Sequence, residues 1–95
     1  MSRKVTINAI NSFLNKTAGS FGNTLVTIEN EVVKLFLHRN MIAKLENGEL
    51  FITNSGWFSN TTKERLNGLP NVSIYQRKGI WYLNGNEWNG KLTKI

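Results

Sequence analysis

The sequence predicts an α+β domain on the strength of three observations. Apolar residues recur at helical spacing near the start of the chain. From Thr24 to Thr53 they alternate with period two instead, and Asn47-Gly48 and Lys78-Gly79 sit where tight hairpin turns are required. The predicted order is α-β-β-β-β-α-β-β: an antiparallel four-stranded meander and a C-terminal hairpin, with an N-terminal helix and one short helix. Residues 1–95 form a single domain, a length that holds one modest core.

The helix comes first. Residues 5–16 place Ile7, Ile10, Phe13 and Leu14 on one face, with Thr6 as the cap, before "TAGSFGN" breaks the pattern with two glycines. The meander follows, and its strands register against one another. A two-residue turn at Asn30-Glu31 pairs Ile28 with Val33 and Val26 with Leu35. A three-residue loop at His38-Arg39-Asn40 pairs Leu37 with Met41, Leu35 with Ala43 and Val33 with Leu45. The Asn47-Gly48 turn pairs Leu45 with Leu50 and Ala43 with Ile52. One set of turns thus gathers Val26, Ile28, Val33, Leu35, Leu37, Met41, Ala43, Leu45, Leu50 and Ile52 on one face, and a one-residue slip would scatter them.

The short helix begins at Thr61-Thr62-Lys63-Glu64, which fits a capping box. Leu66 and Leu69 turn to the sheet, and Gly68 and Pro70 end the helix. Just before it, Trp57 and Phe58 read as a core plug. The last hairpin turns at Lys78-Gly79, with Val72, Ile74, Trp81 and Leu83 inside and Tyr75, Arg77, Ile80 and Tyr82 on its other face. A short final strand lies around Lys91 to Ile95, with Trp88 on a glycine-flanked loop.

Composition narrows the function. There is no cysteine, which excludes disulfides and fits a reducing compartment. No apolar run approaches the ~20 residues that span a bilayer, and the first ten residues do not read as a signal peptide, so a soluble, intracellular protein is expected, without a membrane partner. Twelve Lys and Arg face six Glu and no Asp, a net charge of +6 that suggests an anionic partner. Chemistry is poorly provided for. His38 is the single histidine, beside a hairpin turn; no carboxylate pair is evident; and the glycines at Gly85 and Gly90 do not lead from a strand into a helix as a phosphate loop does. A non-enzyme without cofactor or metal is expected.

The same register that builds the core puts Leu25, Thr27, Lys34, Phe36, His38, Ile42, Lys44, Phe51 and Thr53 on the opposite side. Aromatic rings among cations on a sheet suit single-stranded RNA, whose bases stack while the cations meet phosphates. The same face could equally be a second small core made by Phe36, Ile42 and Phe51, or a partner or homodimer surface. A second cationic group comes from turns and ends: Arg3, Lys4, Arg39, Lys63, Arg65, Arg77, Lys78, Lys91 and Lys94. From the two groups the nucleic-acid-binding candidates are Lys34, Arg39, Lys44, Lys63, Arg65, Tyr75, Arg77, Lys78, Tyr82 and Lys91.

The order of segments also resembles a small domain that recurs in proteins of tailed bacteriophages. It shows a "YLHGNxIA"-like hairpin, a Gly-Trp, a Thr-Thr-Lys/Arg-x-Arg-Leu/Met-Asn helix start and a hairpin ending in Trp-Tyr. Here these are Leu37-His38-Arg39-Asn40, Gly56-Trp57, Thr61 to Asn67 and Tyr75 to Tyr82. Arg39 departs from the pattern, where a turn glycine is more usual. The resemblance implies a phage accessory protein. Small basic phage proteins include inhibitors of host defence, among them an RNA-binding antagonist of the ToxN ribonuclease toxin made by T-even-like phages; size, charge and origin make that link, not a motif. Two functions are therefore expected to compete: binding of RNA or other nucleic acid that antagonises a host toxin or defence system, and direct docking on an acidic host protein.

Overall fold

The computed structural model describes residues 4–95, and Arg3 lies outside the described residues. Helix α1 (Lys4–Leu14) leads into a six-stranded antiparallel sheet. Its strands are β1 (Gly19–Phe21), β2 (Thr24–Glu29), β3 (Val32–Leu37), β4 (Asn40–Glu46), β5 (Glu49–Ile52) and β9 (Thr93–Lys94), in that spatial order. Between β5 and β9 the chain makes α2 (Asn60–Leu66) and a second antiparallel sheet of β6 (Ile74–Arg77), β7 (Ile80–Leu83) and β8 (Asn86–Glu87). The fold is α+β, as predicted. The four-stranded meander gains β1 and β9 at its edges, and the final strand falls within the span expected for it.

The turns explain why the register could be read. Asn30-Glu31, His38-Arg39, Asn47-Gly48 and Lys78-Gly79 each have both residues at positive φ, the pattern of the type I′ turn whose twist matches that of the strands it joins. Val26 pairs with Leu35, Val33 with Leu45, Ala43 with Ile52 and Ile74 with Leu83, as expected.

The β3–β4 hairpin departs from expectation. Its loop is two residues, not three: Leu37 pairs with Asn40 and Phe36 with Met41, while Leu35 still pairs with Ala43. Ile42 is therefore an extra residue, a β-bulge, and both Ile42 and Ala43 are buried. The sequence placed Ile42 on the outer face; the bulge turns it inward, to 1% exposure.

One cluster of buried side chains holds the layers together. Ala9, Ile10 and Phe13 of α1 meet Val26, Val33, Leu35, Leu37, Leu50 and Ile52 of the large sheet. Leu66, Leu69, Ile74, Trp81, Leu83 and Trp88 extend the cluster through α2 and the small sheet. The stripe on α1 is rotated from the one expected: Thr6, Ala9, Ile10 and Phe13 are buried, whereas Ile7 and Leu14 are exposed. Thr6 is thus an interior helical residue, not a cap. Ile28 is also exposed, because it stands at the turn end of its hairpin, outside the core cluster.

At the start of α2, Ser59 is the N-cap in place of Thr61, accepting from the Thr62 amide at 3.2 Å. Glu64 accordingly turns away from the cap and bonds Thr6 and Arg65 instead. Gly68 lies where a Cβ would come 3.0 Å from Ile10 Cγ1 and 3.2 Å from Thr6 Cγ2, so glycine lets the chain after α2 settle against α1 without displacing those side chains.

Candidate functional site

With α1, α2 and the small sheet sharing the core on one side, the other face of the large sheet is open among the described residues. Along β3, Val33, Leu35 and Leu37 are buried while Val32, Lys34 and Phe36 are half-buried. Across the strands the open face carries a row of Thr27, Lys34, Lys44, Phe51 and Lys94, since each pairs with the next. A second row runs through Ser20, Leu25, Phe36 and Met41. Leu25 is 42% exposed, and neither Phe36 nor Phe51 belongs to the core cluster. Ile42 joins the main core while Phe36 and Phe51 stay half-buried on the other face, so the three do not make the second small core considered for it.

Two of the lysines have partners. Lys44 Nζ lies 3.0 Å from Glu46 and 5.1 Å from the centre of the Phe51 ring. Lys94 is 3.0 Å from Glu49. Exposed pairs of this kind contribute about 0–1 kcal/mol, so an incoming phosphate can replace the carboxylate at little cost. The glutamates stand at the Asn47-Gly48 end, so the opposite end, toward Phe36 and the His38-Arg39 tip, is the more cationic.

That tip is flanked by two concavities. A cleft of about 530 Å³ on the open-face side is lined by Leu25, Thr27, Phe36, His38 and Arg39, with residues of the β1–β2 turn. A second, of about 350 Å³, has Leu37 and Ile42 at its base and Trp57 as a wall, with His38, Asn40 and Ser59 around it. His38 lines both, so they adjoin over the hairpin tip.

Trp57 is 59% and Phe58 57% exposed, so neither plugs the core. The Trp57 amide donates to the Asn54 carbonyl at 2.8 Å, and Ser55 and Gly56 at positive φ swing the chain outward at the end of β5. Trp81 and Trp88, 2% and 7% exposed, fill the interior instead. Phe58 rests edge-on against Trp81 with ring centres 5.0 Å apart.

The ten sequence-predicted binding residues separate. Lys34 and Lys44 meet across the open face, and Arg39 is exposed at its tip. Tyr75 and Tyr82 stack at 5.2 Å and 6° on the small sheet, with Arg77 on the same face and Lys78 in the adjoining turn, so these four form a second group. Lys63 turns toward the inner side of that hairpin, 2.9 Å from Gln76 Oε1 and 5.4 Å from the Trp81 ring centre. Lys91 is exposed in the loop before β9.

Arg65 requires correction. It is 1% exposed, with Nε bonded to Thr24 Oγ1 at 2.9 Å, Nη2 to Asn23 Oδ1 at 3.1 Å and Nη1 to Thr6 and Glu64. A guanidinium committed in this way ties α1, α2 and the β1–β2 turn together and is not offered to a phosphate. Trp57 was missed as a site residue for the opposite reason. Its apolar character predicts burial, and only the turn geometry at Ser55-Gly56 reveals its exposure.

Among the described residues no helix is long and apolar enough to cross a membrane. The family model for the Kyanoviridae Gp96 protein matches residues 2–93, and the chain belongs to that phage protein family. No curated protein and no solved structure matches it. The chain is thus a phage accessory protein, in agreement with the resemblance read from its motifs.

Proposed function

We propose that this phage protein binds single-stranded nucleic acid, RNA in particular, on the open face of its large sheet, and so antagonises a toxin or defence system in the host cytoplasm. A host ribonuclease toxin that is blocked through bound RNA is the target class we propose. One observation carries the reading: Phe36 and Phe51 stand outside the core among Lys34, Lys44 and Lys94 on the face away from both described helices. Aromatic rings in a cationic field give base stacking and phosphate neutralisation together, without sequence readout. The net charge of +6 supplies the long-range attraction. The stacked Tyr75–Tyr82 pair beside Arg77 and Lys78 is a second contact region for a longer strand.

The test is binding of a fluorescein-labelled, unstructured RNA oligonucleotide by anisotropy at about 50 mM and about 200 mM salt. Tight binding at the lower salt that weakens steeply at the higher is expected, because released counterions drive the association. No binding at about 50 mM salt, by protein stripped of nucleic acid, would end the proposal. Capture of a host protein that survives complete nuclease digestion would instead favour direct docking on an acidic host protein.

A further inference from the structure

We propose that the cleft walled by Trp57 receives one unstacked nucleobase from a strand lying on the open face; this rests on the nucleic-acid reading above and names what the protein does at the end of that strand. Leu37 and Ile42 form an apolar base, and Trp57 presents a ring that is 59% exposed. Among the described residues no carboxylate lines the cleft. Its polar groups suit the edge of a base. Asn40 uses its amide to donate to the His38 carbonyl at 3.2 Å, which leaves its Oδ1 to accept from a ligand.

Location favours a base over an apolar side chain of a protein. The cleft adjoins the Phe36 cleft through His38, and Arg39 stands exposed at that shared tip. A strand whose phosphates follow Lys34 and Arg39 therefore reaches the rim with a base to place. The bulge at Ile42 makes this possible, because it turns Ile42 inward where strict alternation would have pointed it to the open face.

Trp57 supplies its own readout. Trp81 and Trp88 are buried, so quenching by a ligand in solution reports on Trp57. The full chain is titrated with AMP and, separately, with an unstructured RNA oligonucleotide. Quenching of tryptophan fluorescence is expected in both titrations. Trp57→Ala is expected to weaken oligonucleotide binding roughly five- to hundredfold while leaving its salt dependence unchanged, as removal of one base stack should. Trp57→Phe keeps a stacking ring and should bind within about threefold of the parent, which controls for folding. Oligonucleotide binding that neither quenches Trp57 nor responds to Trp57→Ala overturns the cleft and leaves the open face standing. Quenching by AMP without oligonucleotide binding overturns the strand reading and this inference with it, making a free nucleotide the ligand. No response to either overturns both.

Discussion

Arg65 on α2 and Arg39 at the β3–β4 tip look alike in sequence, each a lone arginine in a polar stretch, yet the fold uses them in opposite ways. Arg65 is enclosed, its guanidinium divided among Thr6, Asn23, Thr24 and Glu64 from three separate segments. Arg39 is exposed, on a backbone that an L-residue adopts at a cost. What separates them is what lies opposite. The last turn of α2 faces α1 and the β1–β2 turn, which supply acceptors; the hairpin tip faces solvent. A cationic residue on a helix face is thus no more available to a polyanion than its acceptors allow, and the net charge overstates the charge on offer.

The interior arginine gives the largest expected effect. Arg65→Ala should destabilise by about 3–5 kcal/mol, because it removes the cation beside Glu64, takes the Nε donor from Thr24 Oγ1 and leaves Asn23 Oδ1 with the Thr24 hydroxyl as donor. For a domain whose whole stability is of order 5–15 kcal/mol, urea denaturation should show a large drop in midpoint. Arg65→Met with Glu64→Gln should recover part of the loss, since no uncompensated charge is left behind. If Arg65→Ala instead unfolds within about 0.5 kcal/mol of the parent while RNA affinity falls, Arg65 belongs with the surface cations after all.

A second interior contrast separates backbone strain from crowding. Gly90 has φ +84°, and a Cβ there would run into the Asn54 carboxamide; Gly48 has φ +77° and open space around it. Asn54 is fully buried and held by Gly90, whose carbonyl accepts from the Asn54 amide at 3.1 Å and from Thr53 Oγ1 at 2.6 Å. Gly90→Ala should therefore cost about 2–4 kcal/mol, combining left-handed strain with overpacking, against about 1 kcal/mol for Gly48→Ala. Equal losses in thermal melts would show that the loop before β9 yields, and that the junction behind Trp57 is soft.

These contrasts also show where sequence reading succeeded and where it stopped. Most of the strand pairing was legible because the two-residue turns at Asn30-Glu31, Asn47-Gly48 and Lys78-Gly79 set it locally, and the alternation of Val33, Leu35 and Leu37 confirmed it over a few residues. The bulge at Ile42 was not, since one inserted residue in a run of apolar side chains leaves the pattern ambiguous. The open face was legible as a set of residues but not as a surface, because whether a helix covers it depends on how the layers stack. Trp57 and Arg65 inverted the usual rule, an indole outside and a guanidinium inside. The first follows from the turn at Ser55-Gly56, which swings Trp57 outward; the second arises from a contact across more than ten residues, Arg65 to Thr24, which no local pattern encodes.

On the exterior side, charge reversal should change binding and leave folding alone. Lys34→Glu with Lys44→Glu, on facing positions of β3 and β4, should keep the protein folded at a cost of about 1 kcal/mol per site, the larger share from loss of the Lys44–Glu46 pair. The slope of log affinity against log salt for single-stranded RNA should fall by about 1.4, at roughly 0.7 for each phosphate that is no longer neutralised. An unchanged slope would move the strand to the other cationic group, the small-sheet hairpin with Arg77 and Lys78.

The smallest effect is the most discriminating, because its two readouts should move in opposite directions. Arg39 occupies the second position of a type I′ turn at φ +70°, where glycine is the favoured residue. Relief of left-handed strain is worth about 1–2 kcal/mol, and the added freedom of glycine in the unfolded chain returns about 0.4–1 kcal/mol of it. Arg39→Gly should then stabilise the protein by about 0.5 kcal/mol, a rise of a few degrees in melting temperature for a chain of this size. In the same variant RNA binding should weaken and its salt slope fall by about 0.7, because one phosphate is left without its cation. A gain in stability with binding unchanged would make Arg39 an ordinary strained turn residue and move the strand away from the tip. A fall in both would mean that the guanidinium supports the hairpin itself, and the contrast with Arg65 would narrow to a matter of exposure.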